Sequence, residues 1–404
     1  MTGALTLEGP GVLPAVARPA SAAEVAAAVR EAAARKTRLR LVGAGGWLDA
    51  GRPVDADAVL PLGGLAGIVD YVPGDLTLTA RAGTSLGAIA AVTGAEEQFL
   101  PLDPAGGDAG TIGATVATRS AGPLAHAFGT PRDLVLGTEF VTGAGDVVRA
   151  GGRVVKNVAG FDLTRLVTGA WGTLGAITEV SVRLRALPEV DATVAVALPP
   201  AARLGEWLAR LRAAPPAAHA AWALELVNAP LAGQLDVPNA GGRSAGVLLA
   251  RLAGNPALVG AQRAALAELG EVADVDAAVW ARLRTAEPRA AVVARRSAQP
   301  TALATLCAEL FAPAAAAFGV LAHASVSRGV VRFILPGDTG FGLPRFDAPA
   351  AGPAPTLVVE RLPAKLWPTL GARLAPGGAR DALSRRVRAA FDPAGVLNPG
   401  ILGD

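Results

Sequence analysis

The sequence predicts an α+β protein whose chain changes texture once, near Pro188. Three observations carry this. The 404 residues suffice for two or three domains at roughly 150 residues each. Up to about residue 188, short strands alternate with turn residues and glycine loops. Beyond it glycine thins, and strand-then-helix cycles suggest an antiparallel sheet with helices on one face.

Composition narrows the class. Hydrophobic residues make up 51% and charged residues 18%, which excludes extended disorder. The formal net charge is +3, with no block of like charge, so nucleic acid is not an expected partner. Arg35, Lys36, Arg38 and Arg40 come closest to a basic cluster and read as cations at a helix end. Cys307 is the single cysteine, set in an apolar helical pattern that suggests a buried, inert thiol. One thiol leaves no intrachain disulfide, cysteine zinc site or four-cysteine iron–sulfur cluster in this chain. No basic stretch followed by an apolar core opens the sequence, and no apolar run nears the roughly 18 residues of a span. A cytoplasmic protein is expected.

The elements follow in order. Ser21 and Glu24 have capping-box spacing before an alanine-rich helix ending near Arg35. Residues 38–42 alternate as a half-buried strand and run into Gly43-Ala44-Gly45-Gly46-Trp47-Leu48. Such a loop after a strand can offer amides to a pyrophosphate. The dinucleotide fingerprint G-x-G-x-x-G fails, because position 48 is Leu and Asp49, Gly51 and Pro53 oppose a helix. Strands are expected near residues 59–60, 68–72 and 76–82, then a helix over 85–92. A long irregular run, 99–113, is of the length that usually serves a function. Residues 111–118 look ordered, with Gly113 permitting a close backbone approach. A hairpin follows, 134–142 and 146–150, turning at Gly143-Ala144-Gly145.

Residues 151–184 hold glycines at 151, 152, 160, 169, 172 and 175, a helix start at Asp162 and a strand from Ala176. So many glycines beside β-branched residues suggest backbone brought near something flat or phosphorylated. A tightly turned corner with nothing bound explains the local pattern equally well. After Pro188, strands are expected over 192–198, 221–227, 244–252, near 272, 318–326, 330–335 and 356–361. Helices are expected over 202–213, 256–269, 301–311 and 380–391, with a loop at 336–355.

Several stretches together resemble one superfamily in the correct order. They are the glycine loop at 42–48, G-T-I-G-A-T-V-A at 110–117, F-G-T-P-R-D-L-V-L-G at 128–137, V-V-K-N-V-A-G-F-D-L at 154–163, G-T-L-G-A-I-T-E at 172–179 and the terminal F-D-P-A-G-V-L-N-P-G. The chain resembles flavoproteins of the vanillyl-alcohol oxidase type, and among them the FAD-binding E subunits of bacterial glycolate oxidases. The resemblance implies a two-part PCMH-type FAD-binding domain over 1–188 and a smaller α+β cap domain with an antiparallel sheet over 189–375. It also implies a C-terminal helix and tail, 376–404, returning to the FAD domain.

By the same resemblance Gly43, Ala44, Gly45, Gly46, Trp47 and Leu48 would cradle the FAD pyrophosphate. The loop from Asp103 to Thr115, with Thr111 and Gly113, would lie against the isoalloxazine and ribityl chain. Gly172, Gly175 and Ile177 would line the adenosine end. Lys156 and Asn157 belong to the family motif, in either a structural or a flavin-contacting role. Two departures stand out. Val42 and Trp47-Leu48 occupy places where many relatives have Arg and His-Ser or Thr-Ser. The histidine that holds flavin covalently in some relatives is absent, so FAD would be noncovalent.

A 2-hydroxy-acid dehydrogenase needs a base near the hydroxyl and a cation for the carboxylate. The chain has three histidines. His126 reads as a solvated loop residue or as one facing the flavin, His219 as surface, and His323, on a strand, as the candidate catalytic base or a satisfied core residue. Arg328, Arg332 and Arg361 could bind a carboxylate but read as solvated strand faces. The paired-histidine motifs of catalytic relatives are missing. The resemblance therefore implies a flavin-holding subunit of a glycolate oxidase complex, with a catalytic flavin subunit and an iron–sulfur subunit as partners. It would be cytoplasmic, or peripheral at the inner membrane through that complex. Two alternatives stay open: a self-sufficient FAD-dependent 2-hydroxy-acid dehydrogenase using His323, and a flavin-free structural subunit.

Overall fold

The computed structural model describes residues 13–152, 161–238, 244–288, 290–335, 356–370 and 381–403. Its chain divides into two compact units. The first comprises residues 1–121, 129–187 and 375–404, and the second 122–128 and 188–374. Residues 122–128, expected in the N-terminal domain, thus belong with the second unit. The motif residues Lys156 and Asn157 and the loop 336–355 lie outside the described residues.

In the first unit, helix α1 (Ala22–Arg35) starts as its sequence directs. The Ser21 hydroxyl accepts the Glu24 amide at 3.2 Å, and the Glu24 carboxylate accepts the Ala20 amide at 2.9 Å. These bonds satisfy two donors near a helix start. Val25 and Val29 turn inward. Strand β1 (Leu39–Val42) pairs in parallel with β2 (Ala58–Pro61) as a separate two-stranded sheet.

A five-stranded sheet follows, antiparallel throughout. Its order is β3 (Ile68–Val72), β4 (Thr77–Arg81), then Ala176–Arg183, Val135–Val141 and Val147–Gly151. Helices α2 (Leu86–Gly94) and α3 (Ile112–Thr118) contribute Ile89, Ile112 and Val116 to its core, beside Leu78, Phe140 and Val180. Residues 112–118 are therefore helix. The irregular run stops at Thr111, whose hydroxyl accepts the Ala114 amide at 3.3 Å and caps α3.

The basic residues near α1 correct another expectation. Lys36 closes the helix, but Arg38 forms ion pairs with Asp55 and Asp57. Arg40 is buried on β1.

The second unit is one eight-stranded antiparallel sheet. Its order is Val272–Asp274, Val190–Ala197, Gly246–Gly254, Ala223–Asn228, Leu321–Ser325, Val330–Leu335, Val292–Ser297 and Thr356–Arg361. Helices were expected on one face, and they lie on both. Leu204, Trp207, Leu208, Leu211, Leu266 and Cys307 cover the face carrying Val196, Leu226, Leu248 and Phe333. Leu231, Leu235, Val279, Trp280 and Leu283 cover part of the other, over Val227, Leu249 and Ile334. The cause is visible in Val247-Leu248-Leu249-Ala250, a run without polar alternation, buried throughout as two-sided strands are. Burial of Cys307 pushes its thiol well above the usual range, so it stays protonated. Among the described residues no helix is long and apolar enough to cross a membrane.

Candidate cofactor site

A cleft of about 1240 Å³, its open mouth included, lies within the first unit. Four pieces of chain build it. The first is the loop after β1, residues 43–48, where Gly45 has φ +85°. The amides of Ala44 and Gly45 make no hydrogen bond among the described residues. Unpaired amides on a turning loop form a natural seat for an anion.

The second piece is the start of α3, drawn tight against its surroundings. A Cβ on Gly113 would stand 2.6 Å from the Ala82 Cβ and 2.8 Å from the Ala82 carbonyl. A Cβ on Gly43 would stand 2.6 Å from the Thr111 hydroxyl. Glycine at both positions brings the loop and helix start together. The run Pro104, Ala105, Gly106 and Gly107 closes this side.

The third piece contributes Trp171, Gly172, Gly175 and Ile177. Trp171 meets Trp47 edge to face, ring centroids 6.0 Å apart. The fourth is the C-terminal tail. The Asn398 Oδ1 accepts the Leu41 amide at 2.8 Å, and its Nδ2 donates to the Trp171 carbonyl at 2.7 Å. One side chain thus ties the cleft's strand to its third wall. Asp392 shapes the turn before it, accepting the amides of Val396 and Leu397.

The residues expected around the cofactor converge here, with one exception. Gly43, Ala44, Gly45, Gly46, Trp47, Leu48, Thr111, Gly113, Thr115, Gly172, Gly175 and Ile177 all line the cleft, and Asp103 does not. The lining resumes at Pro104, one residue past it. Sequence reasoning missed Arg40, Trp171, Asn398 and Ile401, which also line it.

Arg40 is 9% exposed, and its Nη2 donates to the carbonyls of Trp47 at 3.2 Å and Leu48 at 3.4 Å. Burial pulls its guanidinium down to about 10, with Asp49 opposing the shift. It therefore remains a cation at neutral pH.

The second unit holds the catalytic candidates. His323 Nδ1 lies 2.8 Å from Glu225 Oε2, and the Glu225 side chain is 2% exposed. His323 is neither solvated nor alone: a buried carboxylate fixes its ring. Beside it in register stands Arg332. The solvated faces expected for Arg332 and Arg361 are instead part of a buried network. Arg332 Nε donates to Glu360 at 2.6 Å and pairs with Glu287, while Arg361 lies 2.9 Å from Glu287. Burial alone would raise Glu360, but Arg332, Arg295 and Arg361 together hold it below the usual carboxylate range. His126 also departs from expectation. It lies in a short helix with Nε2 3.2 Å from the His219 carbonyl, and burial lowers its affinity for a proton. His219 is exposed, as expected.

Comparison with known proteins agrees with the cleft. Residues 13–151 match the FAD binding domain family. The chain is 42% identical to the glycolate oxidase subunit GlcE of Escherichia coli over 164 residues, 40% of this chain and 47% of that protein. It is 38% identical to the glycolate oxidase subunit GlcD of Bacillus subtilis over 143 residues, 35% and 30% of the two chains. The matches thus span less than half the length of these curated relatives. Among solved structures, p-cresol methylhydroxylase with substrate bound superposes with a TM-score of 0.71 at 16% identity. That match covers 96% of this chain and 88% of the other, and at this identity it speaks for the fold. Most of the cleft's lining, from Arg40 to Thr118, falls within the span that matches the FAD binding domain family, and FAD is the cofactor this match assigns to it.

Proposed function

We propose that this chain is an FAD-linked 2-hydroxy-acid oxidoreductase component, the flavin-holding subunit of a glycolate oxidase complex. The observation that carries the reading is the cleft. The Ala44 and Gly45 amides, without partners among the described residues, two close-packed glycines and a tail strap form a seat suited to a pyrophosphate-bearing cofactor. Bound FAD would supply a redox centre that exchanges electrons with the partner subunits. The chain's own part is to hold it: Ala44 and Gly45 offer amides, Trp47 and Trp171 give an apolar wall, and Asn398 keeps the walls in register. No covalent tether is expected.

Similarity to GlcE and GlcD supports glycolate as substrate and a partner flavin subunit as the place of hydroxyl oxidation. The sequence agrees, having three histidines and none of the paired-histidine motifs of catalytic relatives. An iron–sulfur subunit completes the proposed assembly, in the cytoplasm or at the inner membrane surface. The second reading, a self-sufficient dehydrogenase, rests on the His323–Glu225 pair, whose carboxylate would orient a general base. Glycolate-dependent dye reduction by the flavin-loaded single chain separates the two. The subunit reading expects turnover only after partner subunits are added, and turnover by the chain alone would overturn it. A His323→Gln variant that abolished such lone turnover would establish the second reading.

A further inference from the structure

The cleft contains a charge that the glycine-loop account leaves unexplained. Among the described residues lining it, Arg40 is the only charged one. Taking a guanidinium out of water is costly without a counterion. Arg40 nevertheless forms no ion pair among the described residues, and its hydrogen bonds there go to two neutral carbonyls through Nη2 alone. A guanidinium has five donors in a fixed fork, so donors remain for a ligand. The rest of the lining is glycine, alanine and other neutral residues. A buried cation with no ion-pair partner among the described residues, on which Asp49 acts only through space, is suited to an anion that arrives from outside.

Resting on the FAD reading of the cleft, we infer that Arg40 is the positive partner of the cofactor's pyrophosphate. The same side chain braces the loop through Trp47 and Leu48. The sequence lacks the Arg or His-Ser of relatives around the loop, and a cation two residues back on β1 supplies charge from another position. The substitution of Val42 therefore need not weaken cofactor binding.

The test is titration of the flavin-stripped full chain with FAD, ADP-ribose and riboflavin, followed by fluorescence or calorimetry, for wild type, Arg40→Met and Arg40→Lys. ADP-ribose carries the pyrophosphate without the flavin ring, and riboflavin the ring without the pyrophosphate. Arg40→Met is expected to weaken FAD and ADP-ribose at least tenfold, leave riboflavin unchanged and flatten the loss of FAD affinity with added salt. Arg40→Lys, which keeps the charge without the fork, should fall between. If Arg40→Met misfolds by circular dichroism, the Lys variant carries the test through its salt dependence and ligand selectivity. Wild-type FAD affinity in the Met variant would overturn the inference. So would equal weakening of riboflavin, which would mean that Arg40 only braces the loop or meets the ring. Failure of the wild type to take up FAD would instead refute the reading of the cleft.

Discussion

At the scale of single residues, the cleft is governed by which glycines touch something and which face open space. Gly113 has the Ala82 backbone and side chain where its Cβ would be, whereas Gly46 has nothing within 4 Å. Gly113→Ala should therefore displace α3, costing about 1–3 kcal/mol by overpacking, and weaken FAD. Gly46→Ala should leave the apo-protein melting temperature unchanged and act on FAD affinity alone. Thermal melts and FAD titrations of both variants check this contrast, and equal destabilisation by the two would contradict it. Residue identities here were partly legible. Residues 43–48 announced themselves because a glycine loop after a strand is a local pattern. Arg40 did not, because it sits among other basic residues and only the loop folding over it makes it a buried cation. Asn398 bonds to Leu41 across 357 positions, a separation that no local pattern reports.

At the scale of elements, two long-range connections deserve measurement. The tail joins β1 as a short parallel bridge at Leu39 and Leu397, and Asn398 continues it to Trp171. Asn398 also adopts φ 45°, a region asparagine tolerates better than alanine. Asn398→Ala should cost about 1–3 kcal/mol, the range for a buried group left unsatisfied, and raise the FAD dissociation constant. Denaturant unfolding and FAD titration read the two effects. In the second unit, Glu360 bonds Arg332 inside the sheet's charged network. Glu360→Gln should destabilise by about 3–5 kcal/mol, because a buried cation loses its partner. The sign with pH follows from Glu360 being held below its unfolded range. Its contribution is complete at neutral pH and drains away as pH falls below about 4.3. The variant should lose less stability than wild type over that interval. Element ends marked by local chemistry were readable: the Ser21 cap, the Asp162 start, where its side chain accepts the Arg165 amide at 2.9 Å, and the Gly145 turn. The two-sided burial of the larger sheet was also written in residues 247–250, though the strand-then-helix cycles pointed to helices on one face. The network around Arg332 was not readable, since Glu287, Arg332 and Glu360 meet only once three separate segments are packed.

At the scale of the whole molecule, each unit has its own chemistry. Among the described residues, the first holds a cleft whose one charged lining residue is Arg40, and the second a buried set of paired charges beside His323. The family resemblance anticipated the fold class, and the cleft adds a reason for each wall. Every further statement about substrate and partners depends on the cleft taking FAD. The most direct measurement is titration of the flavin-stripped chain with FAD, monitored by the visible absorbance of bound flavin and by calorimetry. The account predicts saturable, noncovalent uptake of about one FAD per chain, released on acid precipitation. A chain that stays colourless and evolves no binding heat while retaining its folded circular dichroism would contradict it.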